Sequence, residues 1–239
     1  MTRRLELFNR IHGHYKTTQE IQLLNTYRGM PISYPGKMLD LNEQNLTIKV
    51  HKHQAVCLEL HRQTYIRLTH PPLIAAAVCG GEISRQVFVL SDLAFADPAI
   101  GNRKVIRVNP KSPLPVVLTN PRTQRKIASE LIDISTAGLG VYGLSVSLAD
   151  IRDFAKETAI SARLILPEHQ AAEKDTREIE IKGRVINLLP NQNQRRFRLG
   201  IQIDPNPQNQ AVIAAYVSQR QVEIINEIRR LYNTLVQLS

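Results

Sequence analysis

"ELIDISTAGLGVYG", residues 130–143, starts as an alternating strand and then spends Asp133, Ser135 and three glycines on positions that pack poorly. Strand period two puts Ile132 and Ile134 on one face and Asp133 and Ser135 on the other. The isoleucines are therefore expected in a core and the polar pair on the outside. Gly138 allows a sharp turn or the close approach of a ligand. Gly140 and Gly143 read as points of strand curvature. Taken alone, the D-x-S-x-x-G pattern is equally an Asx or ST turn at the end of a strand.

Working outward, most of the chain reads as strands. Before residue 96, β-rich runs such as "MLDLNEQNLTIKV", "AVCLELH", "TYIRL", "LIAAAVC" and "QVFVLSDLAF" are separated by turn signals, "YPGK" and "THPP" among them. Residues 1–95 are expected to form a small antiparallel barrel, led by a short helix with Leu5, Phe8 and Ile11 on one side. Residues 96–112 are rich in proline and basic side chains and read as an interdomain linker. Residues 113–239 hold six candidate strands, from "PVVLT" to "RRFRLGIQI", with "SLADIRDFA" as a short helix started by Ser147 or Asp150. A helix with an apolar stripe through Ile213, Val217, Ile224 and Ile228 follows. The fold class is mainly β: two small antiparallel barrels in tandem and a long C-terminal helix. No sequence repeat is visible. A helix of ~30 residues runs ~45 Å, longer than a small barrel covers, so its outer half is expected to pair with a second copy.

The chain of 239 residues carries a net charge of +10, which favours an anionic partner. The excess lies mostly after residue 100, where 20 Lys and Arg face 13 Asp and Glu. Arginine outnumbers lysine 21 to 10, and its planar fork suits phosphates and guanine edges. No apolar run is long enough to span a bilayer and no secretory signal is present, so a cytoplasmic protein is expected. Two cysteines do not make a disulfide framework. His51, His53, Cys57 and His61 share odd numbers, but on one straight strand they would spread over ~33 Å, so no metal site is expected. No G-x-S-x-G, phosphate loop or H-E-x-x-H motif appears, and the chain is not expected to be an enzyme.

Arg103 and Arg107 form the chain's one R-x-x-x-R pair, in the linker. With "DISTAGLG", the late strand "RFRLGIQI" and the final helix, the order resembles the PilZ domain, a family of bacterial receptors for cyclic di-GMP, over residues ~100–235. A strand-rich module ahead of it is similar to the two-domain flagellar-brake, YcgR-like, group. The resemblance implies a six-stranded second barrel and a cyclic di-GMP site at Arg103, Arg107, Asp133, Ser135 and Gly138, with Asn102 and Lys104 as additional contacts. It implies no catalytic residue, metal or cofactor beyond that ligand. It also implies a receptor that acts on a protein partner, such as the flagellar motor or exopolysaccharide machinery, with recruitment to the flagellar basal body. A nucleic-acid-binding regulator under cyclic di-GMP control is the alternative. Against it stand the absence of tryptophan, only 5% aromatic residues and no recognised nucleic-acid motif.

Overall fold

The structure is a computed structural model of the chain. It describes residues 3–68, 73–97, 105–144, 147–167, 176–191 and 196–238. The chain folds as two compact units, one from Met1–Lys104 with Glu223–Ser239, the other from Val105–Val222.

In the first unit, α1 (Arg3–Thr17) leads into β1 (Glu20–Tyr27), β2 (Met30–Leu41) and β3 (Leu46–Val50). Then come α2 (Lys52–His61), β4 (Gln63–Arg67), β5 (Leu73–Glu82) and β6 (Val87–Phe95). The strands close an antiparallel barrel in the order β1-β2-β3-β6-β5-β4. Leu23, Met38, Ile48, Ile66, Phe88 and Leu90 fill it, and α1 buries Leu7 and Ile11, one turn apart, against this core.

Two expectations change here. "HKHQAVCLELH" is helical: His51 caps α2, with its side chain accepting from the His53 N–H, and Arg62 ends it at φ 54° with its N–H on the Leu58 carbonyl. Residues 53–58 are all buried, so the helix shows no apolar face and reads like a buried strand. "YPGK" is not a turn but lies inside β2, where Gly36 pairs with both Ile21 and Val50. A Cβ on Gly36 would sit 3.1 Å from the Leu23 side chain and 3.2 Å from the Lys49 carbonyl, so a larger residue would crowd this position.

The second unit holds β7 (Pro115–Thr119), β8 (Lys126–Ser135), β9 (Gly138–Gly143), α3 (Leu148–Asp153), β10 (Ala159–Pro167), β11 (Thr176–Asn191) and β12 (Arg196–Ile203). They close in the order β7-β8-β9-β12-β11-β10. In β12, Phe197, Leu199, Ile201 and Ile203 are buried and the residues between them face outward, as the alternation predicts. Ser147 caps α3 in a reciprocal box with Asp150. Burial pushes the Asp150 carboxyl up, but hydrogen bonds from Ser147 and the Arg125 guanidinium outweigh it and hold the group below its usual range. Ser147→Ala is expected to cost about 1 kcal/mol in a denaturant titration.

The barrels repeat each other although the sequence does not. In each, strands run first-second-third-sixth-fifth-fourth, with a helix between third and fourth. Two bulges also coincide, although a further irregularity between Ala75 and Ala77 of β5 has no counterpart. One inserts Leu39 in β2 and Ile132 in β8; another inserts Cys79 in β5 and Ile186 in β11.

The final helix, α4 (Pro207–Leu238), contributes residues to both units. Ile213 and Val217 are buried, as are Ile224 and Ile228, while Tyr232, Leu235 and Val236 pack on the first barrel's core. The stripe on the outer half, expected to meet a second copy, is thus largely occupied within the chain. Among the described residues no helix is long and apolar enough to cross a membrane.

Candidate functional site

The bulge in β8 builds the site. Leu131 pairs with Val141 and the next pair is Asp133 with Gly140, which leaves Ile132 as the inserted residue. The insertion shifts the alternation. Leu131 and Ile134 are the buried apolar pair, Ile132, expected in the core beside Ile134, is only half-buried, and Asp133 and Ser135, expected on the outside, are buried.

An inserted residue takes its backbone out of the ladder. The Ile132 carbonyl accepts instead from Asn109 Nδ2 at 2.6 Å. Val108 and Ile134 exchange both backbone hydrogen bonds, each at 3.0 Å, an isolated bridge to the end of β8 that lies beyond its pairing with β7. Arg220 of α4, buried itself, donates from Nε to the Asn109 carbonyl at 3.0 Å and fixes this segment from behind. Arg107 is thereby delivered to Asp133.

Asp133 is 6% exposed and its carboxylate is held from two sides. Arg107 Nη1 stands 3.5 Å from Oδ1, and Arg198 Nη2 of β12 donates to Oδ2 at 3.0 Å. A carboxylate this buried needs such partners. The side chain lies over Gly140, where a Cβ would come within 2.8 Å of Oδ2. Gly140 is therefore a seat for Asp133 rather than a curvature device. Gly143 does the same for Phe197, whose ring would stand 2.9 Å from its Cβ.

Ser135 is 1% exposed, and its hydroxyl is committed to the β8–β9 turn. It accepts from the Gly138 N–H at 3.1 Å and donates to the Gly138 carbonyl at 3.2 Å. Gly138 backs onto β12, where a Cβ would meet the Ile201 carbonyl at 2.7 Å. Both residues shape the loop that holds Asp133, and neither presents a free polar group. Arg107, Asp133, Ser135 and Gly138 thus come together, while Asn102, Arg103 and Lys104 lie outside the described residues. Arg198 is the member that sequence reasoning missed. Its alternation placed it outward, but only the strand order β12-β9-β8 brings it to Asp133.

The arrangement offers two guanidinium groups and one oriented carboxylate, groups that can form charge-assisted hydrogen bonds. Among the described residues no three potential metal ligands gather. In the first barrel, His51 stacks on Tyr34 at 4.1 Å and His53 Nδ1 meets the Tyr34 hydroxyl at 2.9 Å. Burial, then His51, Lys52 and Arg229, lowers the His53 pKa to about 4. Cys57 is fully buried, which pushes its thiol up to about 12, whereas Cys79 is exposed. Ellman's reagent is therefore expected to titrate one thiol in the native protein and two after denaturation. Two native thiols would contradict the burial of Cys57.

The family model described as PilZ domain matches residues 102–219. Two Aquifex aeolicus (strain VF5) proteins, both described only as uncharacterized, are 27% and 26% identical over 140 and 141 residues, or 56% and 57% of this chain. The chain spans 58% of the length of these curated relatives. Among solved structures, the Bacillus subtilis inhibitor of motility MotI/DgrA has a TM-score of 0.42 at 13% identity, covering 86% of this chain and 97% of its own. Escherichia coli YcgR in complex with c-di-GMP has a TM-score of 0.41 at 11% identity, covering 95% of each chain. The K. pneumonia MrkH–c-di-GMP complex has 0.41 at 13% identity, covering 95% of this chain and 96% of its own.

Proposed function

Residues 102–219 are a PilZ domain, and from that premise we propose that this chain is a non-catalytic receptor for cyclic di-GMP. The observation that carries the reading is Asp133, seated on Gly140 between Arg107 and Arg198. A carboxylate fixed in this way accepts from the N1 and N2 donors of a guanine. A guanidinium forks onto a phosphate or onto guanine O6 and N7. Arg107 is suited to that exchange, because its 3.5 Å contact with Asp133 is long and a third of its side chain is exposed. The 3.0 Å hydrogen bond from Arg198 keeps the buried carboxylate partnered when Arg107 moves.

The docked end of the linker narrows the mechanism. Val108 and Asn109 are tied to β8 by hydrogen bonds within the chain. Arg107 adjoins this tied segment, and Arg103 precedes it in the sequence. Cyclic di-GMP gathers Arg103 and Arg107 onto the Asp133 face, changes the path of the chain between the barrels, and alters the surface shown to a cytoplasmic protein partner. The flagellar motor and exopolysaccharide machinery are the partner classes this reading favours. The switch is limited by the ligand's differential affinity for the two arrangements.

Thermal unfolding tests the receptor reading. Cyclic di-GMP at a hundred times its Kd stabilises the folded state by about 2.7 kcal/mol. For a chain of this size that raises the midpoint by roughly 5–10 °C. An unchanged midpoint at millimolar ligand would count against the proposal. A pull-down with and without the nucleotide then asks whether the partner responds to it.

A further inference from the structure

The two barrels share strand order and two bulges, so positions counted from those bulges have counterparts in both. Counted from the shared bulges, Asp40 of β2 stands where Asp133 stands in β8. Even the turn is alike: Asn42 Oδ1 accepts from the Asn45 N–H at 2.8 Å, as Ser135 Oγ accepts from Gly138. The neighbouring strands then diverge. Thr47 and Val89 occupy the places of Gly140 and Gly200, and Val87 the place of Arg198. The same lattice carries an aspartate twice, but only the second barrel clears the surface beside it.

That cleared surface has a definite layout. Register places Asp133, Gly140, Gly200 and Asn187 in one row across β8, β9, β12 and β11. The Asp133 carboxylate fills the space over Gly140. Gly200 is next, bare, with Arg198 two residues away on the same face. A Cβ on Gly200 would meet nothing closer than Asn187 Cβ at 3.4 Å, and its φ is not in the left-handed region. Neither folding space nor backbone conformation demands glycine there. In the first barrel, Val89 takes the equivalent place within the same bulged ladder.

We infer that Gly200 is the floor of the guanine site. The base whose donor edge meets Asp133 lies flat across β12, and Arg198 holds the carboxylate in place from the side. The inference rests on the cyclic di-GMP reading and adds to it the surface that receives the base. Arg198 is a positioning residue in this arrangement: its hold on Oδ2 keeps Asp133 aimed along the row once Arg107 leaves for a phosphate. The first barrel, with valine at the floor and at the arginine position, is closed to the nucleotide.

The test copies the first barrel into the second. Gly200→Val is expected to keep the wild-type thermal midpoint and to bind cyclic di-GMP at least about tenfold more weakly in calorimetry, the size of effect one or two misplaced methyl groups make in a fitted site. Gly200→Ala should fall between the two. Binding equal to wild type by Gly200→Val, alongside lost binding by Arg107→Ala, overturns the floor and leaves the receptor reading standing. No binding by wild type overturns both. If Gly200→Val does not fold, amide spectra of the wild type decide: the Gly200 resonance should move on titration with cyclic di-GMP and that of Gly80 should not. A stationary Gly200 overturns the inference.

Discussion

Replacing Arg103 and Arg107 together by alanine is expected to weaken cyclic di-GMP binding by about 100-fold or more while leaving the fold intact. Each guanidinium makes charge-assisted hydrogen bonds worth on the order of 1.5–3 kcal/mol to a phosphate or guanine. Two of them amount to roughly two orders of magnitude or more in Kd. The folded state loses little, because the Arg107 contact with Asp133 is long and Arg198 still donates to the buried carboxylate at 3.0 Å. Val108 and Asn109, which tie this segment to β8, are untouched. Calorimetry and a thermal melt on the double variant separate the two quantities. Retained affinity would mean that the arginines are not the ligand's anchors. A collapsed midpoint would mean that they are structural.

Phe197→Ala is expected to have the largest effect on stability, about 3–5 kcal/mol in a urea titration. Phe197 is 1% exposed, and its ring covers Gly143, which has no side chain to fill the space left behind. It belongs to the strand whose outer face carries Arg198 and Gly200, so the cavity opens beneath the site. A loss under about 1 kcal/mol would contradict its place in the core.

The fold was legible wherever a strand buries one face. β12 alternates cleanly, and Asp133 was recognisable as the polar member of a strand leading into a turn. A bulge carries no such mark, so simple alternation put Ile132 in the core where Leu131 belongs. α2 was missed because every residue from 53 to 58 is buried, which erases the difference between helix and strand periods. Gly140 and Gly143 looked alike in sequence. Only the register shows that one seats a carboxylate and the other an aromatic ring. Arg198 lies 65 residues from Asp133, and its partner follows from strand order rather than from spacing. The repeat of one barrel by the other was invisible for a related reason. What recurs is strand order, bulge position and turn geometry, and different side chains meet those demands in each copy.

The central claim is that the second barrel carries a cyclic di-GMP site at Asp133. Calorimetric titration of the whole chain with cyclic di-GMP, and in parallel with cyclic di-AMP, tests it most directly. Adenine lacks the paired N1 and N2 donors that a carboxylate accepts. The account therefore expects micromolar or tighter binding of the guanine dinucleotide and binding of the adenine dinucleotide weaker by at least about tenfold. No heat from either, or equal affinity for both, would contradict it.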